Sequence, residues 1–161
     1  MSRNLIAFFS ASGSTRKLAN TLAEITGADL YEIKPQTPYT GKDLNWNDSK
    51  SRSSVEMADI NSRPILADNA APVSDYDTIF LGFPIWWYVA PHIINTFLEN
   101  YDFSGKTIIV FATSGGSGFG ETINQLKPSC ADSVRWIQGQ VFRGHVDKPT
   151  LNDWIKDLPI D

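Results

Sequence analysis

The chain has a single cysteine, Cys130, in 161 residues, which excludes an internal disulfide. It has no apolar run near the roughly 20 residues that a bilayer-crossing helix requires, so no membrane role is expected. Basic residues are scarce: 14 Lys and Arg stand against 18 Asp and Glu, for a net charge of −4, and the positive patch of a nucleic-acid surface is missing. There are only two histidines, and no Cys, His and carboxylate spacing that points to a metal. The start MSRNLIAFF has neither the apolar length nor the small-residue cleavage site of a secretory signal, so the expected compartment is the cytoplasm. Internal repeats, low-complexity tracts and linkers are also lacking.

What is present suits one compact domain over 1–161: 42% of residues are hydrophobic and 12% aromatic. Leu5 to Phe9, Thr78 to Phe83 and Thr107 to Ala112 are continuous short apolar runs, the pattern of strands buried on both faces. Asp29 to Ile33 alternates like a strand and stops at Pro35 and Pro38, while Val134 to Phe142 reads as one mixed strand or a pair. Helices are expected over Ser14 to Ile25, Pro91 to Asn100, Phe119 to Leu126 and Lys148 to Leu158, with a weak one at Ser53 to Ile60. Alternation of this kind predicts an α/β doubly wound three-layer sandwich, a parallel sheet covered on both faces.

The stretch FFSASGSTRKLANTLA, residues 8–23, passes from a strand through small hydroxylated residues into a helix. A helix start carries unpaired N–H groups and positive partial charge, so Ser10, Ser12, Gly13, Ser14 and Thr15 are suited to cradle a phosphate. The plainer alternative is that these residues only cap the helix. Neither GxGxxG nor GxxxxGK[ST] occurs here, and Gly105-Lys106-Thr107 enters a strand, so a phosphate monoester fits better than a dinucleotide or a nucleoside triphosphate.

Two other loops should converge on the same end of the sheet, beyond the strand C-termini. Gly82 to Pro91 (GFPIWWYVAP) offers aromatic surface, and Ala112 to Gly120 (ATSGGSGFG) is nearly bare backbone that can reach a polar ring edge. A receiver domain would need acids after strand one and a phosphoacceptor Asp after strand three, where Ser10 and Phe83-Pro84 stand. A serine hydrolase elbow GxSxG is missed by Gly115-Gly-Ser-Gly-Phe119.

Taken in order, Ser-x-Ser-Gly-x-Thr, Pro-Ile-Trp-Trp and Thr-Ser-Gly-Gly-Ser resemble the flavodoxin family, in its short-chain form, from Asn4 to Leu158. The resemblance implies a five-stranded parallel sheet of order 2-1-3-4-5 and non-covalently held FMN. By position it assigns Ser10, Ser12, Gly13, Ser14 and Thr15 to the phosphate. Pro84, Ile85, Trp86 and Trp87 fall to the isoalloxazine, and Thr113, Ser114, Gly115, Gly116 and Gly118 to its pyrimidine side. A peptide able to turn toward the flavin is expected at Gly82 or at Gly115-Gly116. The expected role is low-potential one-electron transfer with redox partner proteins, as a monomer or weak dimer. The alternatives are an NAD(P)H-dependent quinone or small-molecule reductase, with a small-molecule donor or acceptor, and a flavin-binding accessory module without turnover. His92 is read as a first-turn helix residue, His145 as surface, Cys130 as a passive thiol, and Tyr39, Trp46 and Arg52 as parts of an ordered surface loop.

Overall fold

A computed structural model describes residues 4–114 and 118–159. Strands β1 (Asn4–Phe8), β2 (Asp29–Glu32), β3 (Thr78–Pro84), β4 (Thr107–Thr113) and β5 (Arg135–Phe142) form one sheet of order β2-β1-β3-β4-β5, parallel at every pairing. This is the flavodoxin-like α/β arrangement. Helices α1 (Ser14–Thr26), α2 (Arg52–Ala58), α3 (His92–Asn100), α4 (Thr122–Leu126) and α5 (Lys148–Asp157) connect and cover it.

The alternation of side chains along a strand divides the core in two. Leu5, Ala7, Ile79, Leu81, Ile108 and Val110 face Ile93, Ile94 and Phe97 of α3 and Leu126 of α4. Ile6, Phe8, Phe80, Ile109 and Phe111 face Leu18 and Leu22 of α1 and Leu151 and Trp154 of α5. Both faces of β1, β3 and β4 are therefore dry, which is why these strands read as unbroken apolar runs. At the sheet edge β5 keeps one face half-wet, and it is a single strand that shifts register opposite Val110–Ala112.

Between β2 and β3 the chain makes a long excursion closed at its base. The Gln36 N–H donates to Ile65 O and the Ala67 N–H to Lys34 O, around a Pro35–Leu66 bridge. Within it, α2 is capped by Ser51, whose hydroxyl accepts from the Ser54 N–H. Arg52 ties the excursion together by donating to Glu56 at 3.0 Å and to Thr37 O at 2.6 Å. Among the described residues, no helix is long and apolar enough to cross a membrane.

Candidate functional site

The loops after β1, β3 and β4 meet at one end of the sheet, beside the β1–β3 pair where the strand order reverses. In the first, Phe9 N–H continues the ladder to Gly82 O at 3.0 Å. The next residue, Ser10, turns its hydroxyl back on the loop, where it accepts from the N–H groups of Gly13 (3.1 Å) and Arg16 (3.2 Å). Gly13 lies at φ 103°, a conformation that side-chain-bearing residues rarely adopt, and α1 starts at the following residue. The N–H groups of Ser14 and Thr15 begin α1 without a partner among the described residues, aligned with the positive end of a 13-residue helix.

Thr15 is 1% exposed, and its hydroxyl pairs with that of Thr113 at 2.8 Å, which fastens the start of α1 to the end of β4. Beyond the regular strands, Ile85 N–H donates to Thr113 O (2.9 Å) and Ser114 N–H to Phe142 O (3.1 Å). All three loop stems are thus held by main-chain bonds.

After β3 the chain folds into a tight hairpin. Trp86 and Val89 exchange both backbone bonds, at 2.9 and 3.2 Å, and the two residues between them, Trp87 and Tyr88, have φ of 51° and 65°. A two-residue turn with both φ positive normally uses Asn-Gly. Two aromatic residues there cost about 1–2 kcal/mol each. The turn sends Trp86 inward, edge-on to Phe9 (5.8 Å) and to Tyr39 (5.4 Å), and leaves Trp87 and Tyr88 at 45% and 65% exposure. One tryptophan, Trp86, therefore enters the site and the other faces solvent. Tyr39 is itself fixed: its hydroxyl donates to Glu56 and the Arg52 guanidinium lies 3.9 Å from its ring centre. Burial, then the Glu56 carboxylate, pushes its phenol above the ordinary range.

A cavity of about 760 Å³ opens between these loops. Of the residues singled out from sequence, Ser12, Ser14, Pro84, Ile85, Trp86, Thr113 and Ser114 line it. Ser10 and Thr15 instead hold the loops in place, Gly13 makes the turn, and Trp87 and Gly118 are on the exposed side. Gly115 and Gly116 lie outside the described residues. Sequence reasoning missed Lys17, Asn20 and Thr21 along α1, and Phe142, Gly144, His145 and Val146 after β5, all of which line the cavity. Lys17 and Thr21 follow Ser14 at i+3 and i+7, a helical signal that could have placed them; the β5–α5 residues had none. His145 is exposed, as expected, and also edges the cavity. Among the described residues, no cluster of His, Cys, Asp or Glu could hold a metal ion.

A second cavity, about 470 Å³, lies on the far side of the Phe9–Tyr39–Trp86 cluster, bounded by Ser10, Arg16, Glu32, Lys34, Gln36 and Tyr39. Arg16 and Glu32 pair across its edge at 2.5 Å.

The arrangement at the main cavity can bind a phosphate through neutral donors at one end and a flat apolar ring against Trp86 at the other. A comparison with curated proteins finds no significant match. Solved structures are similar over the whole chain. A candidate flavoprotein from Bacteroides uniformis is 45% identical, covering 97% of this chain and 99% of that one, with a TM-score of 0.90. Another from Bacteroides eggerthii is 41% identical over all of both chains, with a TM-score of 0.91. A flavoprotein from Lactobacillus acidophilus, solved in complex with FMN, shares the fold at 24% identity and a TM-score of 0.67, covering 96% of this chain and 99% of that one. A family model described as flavodoxin matches residues 3–158, nearly the entire sequence, and the chain therefore belongs to the flavodoxin family.

Proposed function

We propose that this chain binds FMN in the main cavity and serves as a one-electron carrier between redox partner proteins. The observation that carries the reading is the convergence of the α1 N-terminus, Trp86 and the Thr113–Ser114 stem on one cavity. The residues fit the group. The unpartnered N–H groups of Ser14 and Thr15, with the Ser12 and Ser14 hydroxyls, are donors for a phosphate, and the helix end adds about half a positive charge. Trp86 supplies a wall for a heteroaromatic ring.

Bound FMN supplies the electron chemistry, and the protein sets its affinity, its potential and the access to it. Ser12, Ser14 and α1 hold the phosphate. Trp86, wedged by Phe9 and Tyr39, would give the ring an uncharged apolar wall, an environment that disfavours added negative charge and so favours a low potential. The exposed Trp87 and Tyr88, on a turn of fixed shape, form the surface against which a partner protein can lie.

One observation favours a second reading, an NAD(P)H-dependent reductase: the cavity behind Tyr39 has room for a small molecule and presents Lys34 beside the Arg16–Glu32 ion pair. Titrating the purified protein with FMN, then anaerobically with dithionite and separately with NADPH, decides the matter by visible absorption. No spectral change on adding FMN overturns the cofactor reading. A persistent one-electron-reduced spectrum with no response to NADPH supports the carrier, and direct bleaching by NADPH makes it a reductase.

A further inference from the structure

We infer that Gly120 and Thr122, in the connection between β4 and α4, are positioning residues for the Trp87–Tyr88 turn, and through it for Trp86 at the cavity wall. A turn of two non-glycine residues at positive φ persists only where its surroundings forbid relaxation. Here the restraint comes from another loop. Gly120 packs flat on Tyr88: a Cβ at position 120 would lie 2.5 Å from the Tyr88 carbonyl oxygen and 2.9 Å from the Tyr88 Cβ. Neither is the free end of a side chain that could swing away.

The same carbonyl oxygen lies 3.5 Å from the hydroxyl of Thr122, a fully buried residue whose one hydroxyl hydrogen goes to the nearer Phe119 O, so that Thr122 fixes the 119–122 turn that carries Gly120 against Tyr88. The turn is thus closed from inside by the Trp86–Val89 bonds and blocked from outside by the start of α4. Gly120 itself adopts φ 54°, so the two loops meet as a pair of left-handed segments. Neither Gly120 nor Thr122 lines the cavity. Their effect on a ligand passes through the turn: Trp86 is held in its binding position beforehand, so less ordering is left for binding to accomplish.

The test uses the variants Gly120→Ala and Tyr88→Gly, their double, and Thr122→Val. Two quantities are read: amide hydrogen exchange in the apoprotein and the FMN dissociation constant by fluorescence quenching. The affinity arm rests on the cofactor reading proposed above; the exchange arm does not. In Gly120→Ala, the Val89 amide is expected to lose at least tenfold in protection while the β3 and β4 amides keep theirs. FMN affinity is expected to fall at least tenfold, or about 1.4 kcal/mol.

In the Tyr88→Gly background the same alanine is expected to cost less than threefold, because glycine at 88 can leave the left-handed region and has no Cβ to collide. Equal factors in the two backgrounds would mean that positions 88 and 120 act independently, which overturns the inference. Unchanged Val89 protection in Gly120→Ala also overturns it. If the wild-type chain binds no FMN, the cofactor reading fails while the exchange data still decide this one. If Gly120→Ala does not fold, Thr122→Val decides it: a severalfold loss of Val89 protection supports the keying and no loss refutes it.

Discussion

The Thr15–Thr113 hydroxyl pair ties the start of α1 to the end of β4, and its energetics should be lopsided. The two side chains differ in surroundings: Thr15 is 1% exposed, whereas Thr113 is half-buried at the cavity. Thr113→Val leaves the Thr15 hydroxyl buried without its partner, at a cost of about 1–3 kcal/mol. Thr15→Val leaves the Thr113 hydroxyl within reach of water, so only the net value of one hydrogen bond is lost, about 0.5–1.5 kcal/mol. Replacing both removes donor and acceptor together with little change of shape, and the double variant should lie close to wild type. At the middle of its range, about 2 kcal/mol, Thr113→Val should lower Tm by roughly 4–8 °C for a chain of this size. Urea denaturation of the apoprotein followed by circular dichroism, on wild type, both singles and the double, measures the cycle. Single effects that sum to the double within about 0.5 kcal/mol would show that the pair is not an interacting unit. Thr15→Val costing more than Thr113→Val would refute the burial argument.

Three further outcomes follow from the packing and titration of the core. Trp154 lies edge-on to Phe80, Phe111 and Phe142 on the α1–α5 face, and Trp154→Ala should cost about 3–5 kcal/mol in urea denaturation; a loss under 2 kcal/mol would contradict its place in that core. Burial, assisted by Arg63, holds the His92 imidazole below its ordinary pKa, and its Nδ1 lies 2.6 Å from the Ser62 hydroxyl. Because that hydroxyl gives its hydrogen to Glu56 O, Nδ1 carries the proton of the neutral ring. The unfolded chain takes up a proton near pH 6.5 while the folded ring resists it, so stability is complete above that pH and falls as pH drops through it. His92→Gln should flatten the urea midpoint between pH 7.5 and 5.5, and equal slopes in the two proteins would assign the dependence elsewhere. Burial, reinforced by Glu99, pushes the Cys130 thiol up to about 12. Its reaction with a disulfide reagent at pH 8 should be at least a hundredfold slower in the folded protein than in urea, and equal rates would contradict a packed thiol.

The apolar runs of β1, β3 and β4 were legible because a strand dry on both faces needs no alternation to announce itself. The edge strand β5 was ambiguous for the opposite reason, since its half-wet face puts Gln138 and Gln140 into the pattern, and Gly139 on the other face leaves a gap filled by Trp154. The helix expected from Phe119 begins only at Thr122, because Gly120 is held at positive φ against Tyr88 and cannot be helical. Proline at 91 likewise stands just outside α3, in an extended conformation, as its N-cap. The least readable stretch, 36–73, contains α2 close to where a weak helical pattern placed it, but its contacts were invisible. Tyr39 meets Trp86 across 47 residues of chain, and no local signal encodes that.

The sequence by itself determined the alternation of elements, the family motifs and the chemical kind of ligand, because hydrophobic period and helix-start chemistry are local properties. Only the tertiary structure decided which tryptophan enters the cavity, that Ser10 and Thr15 brace their loops while Ser12 and Ser14 face the opening, and that the β5–α5 loop closes the far side. Those choices depend on which loops the sheet order brings together, and on a strained turn whose shape is maintained by a glycine more than thirty residues away in sequence.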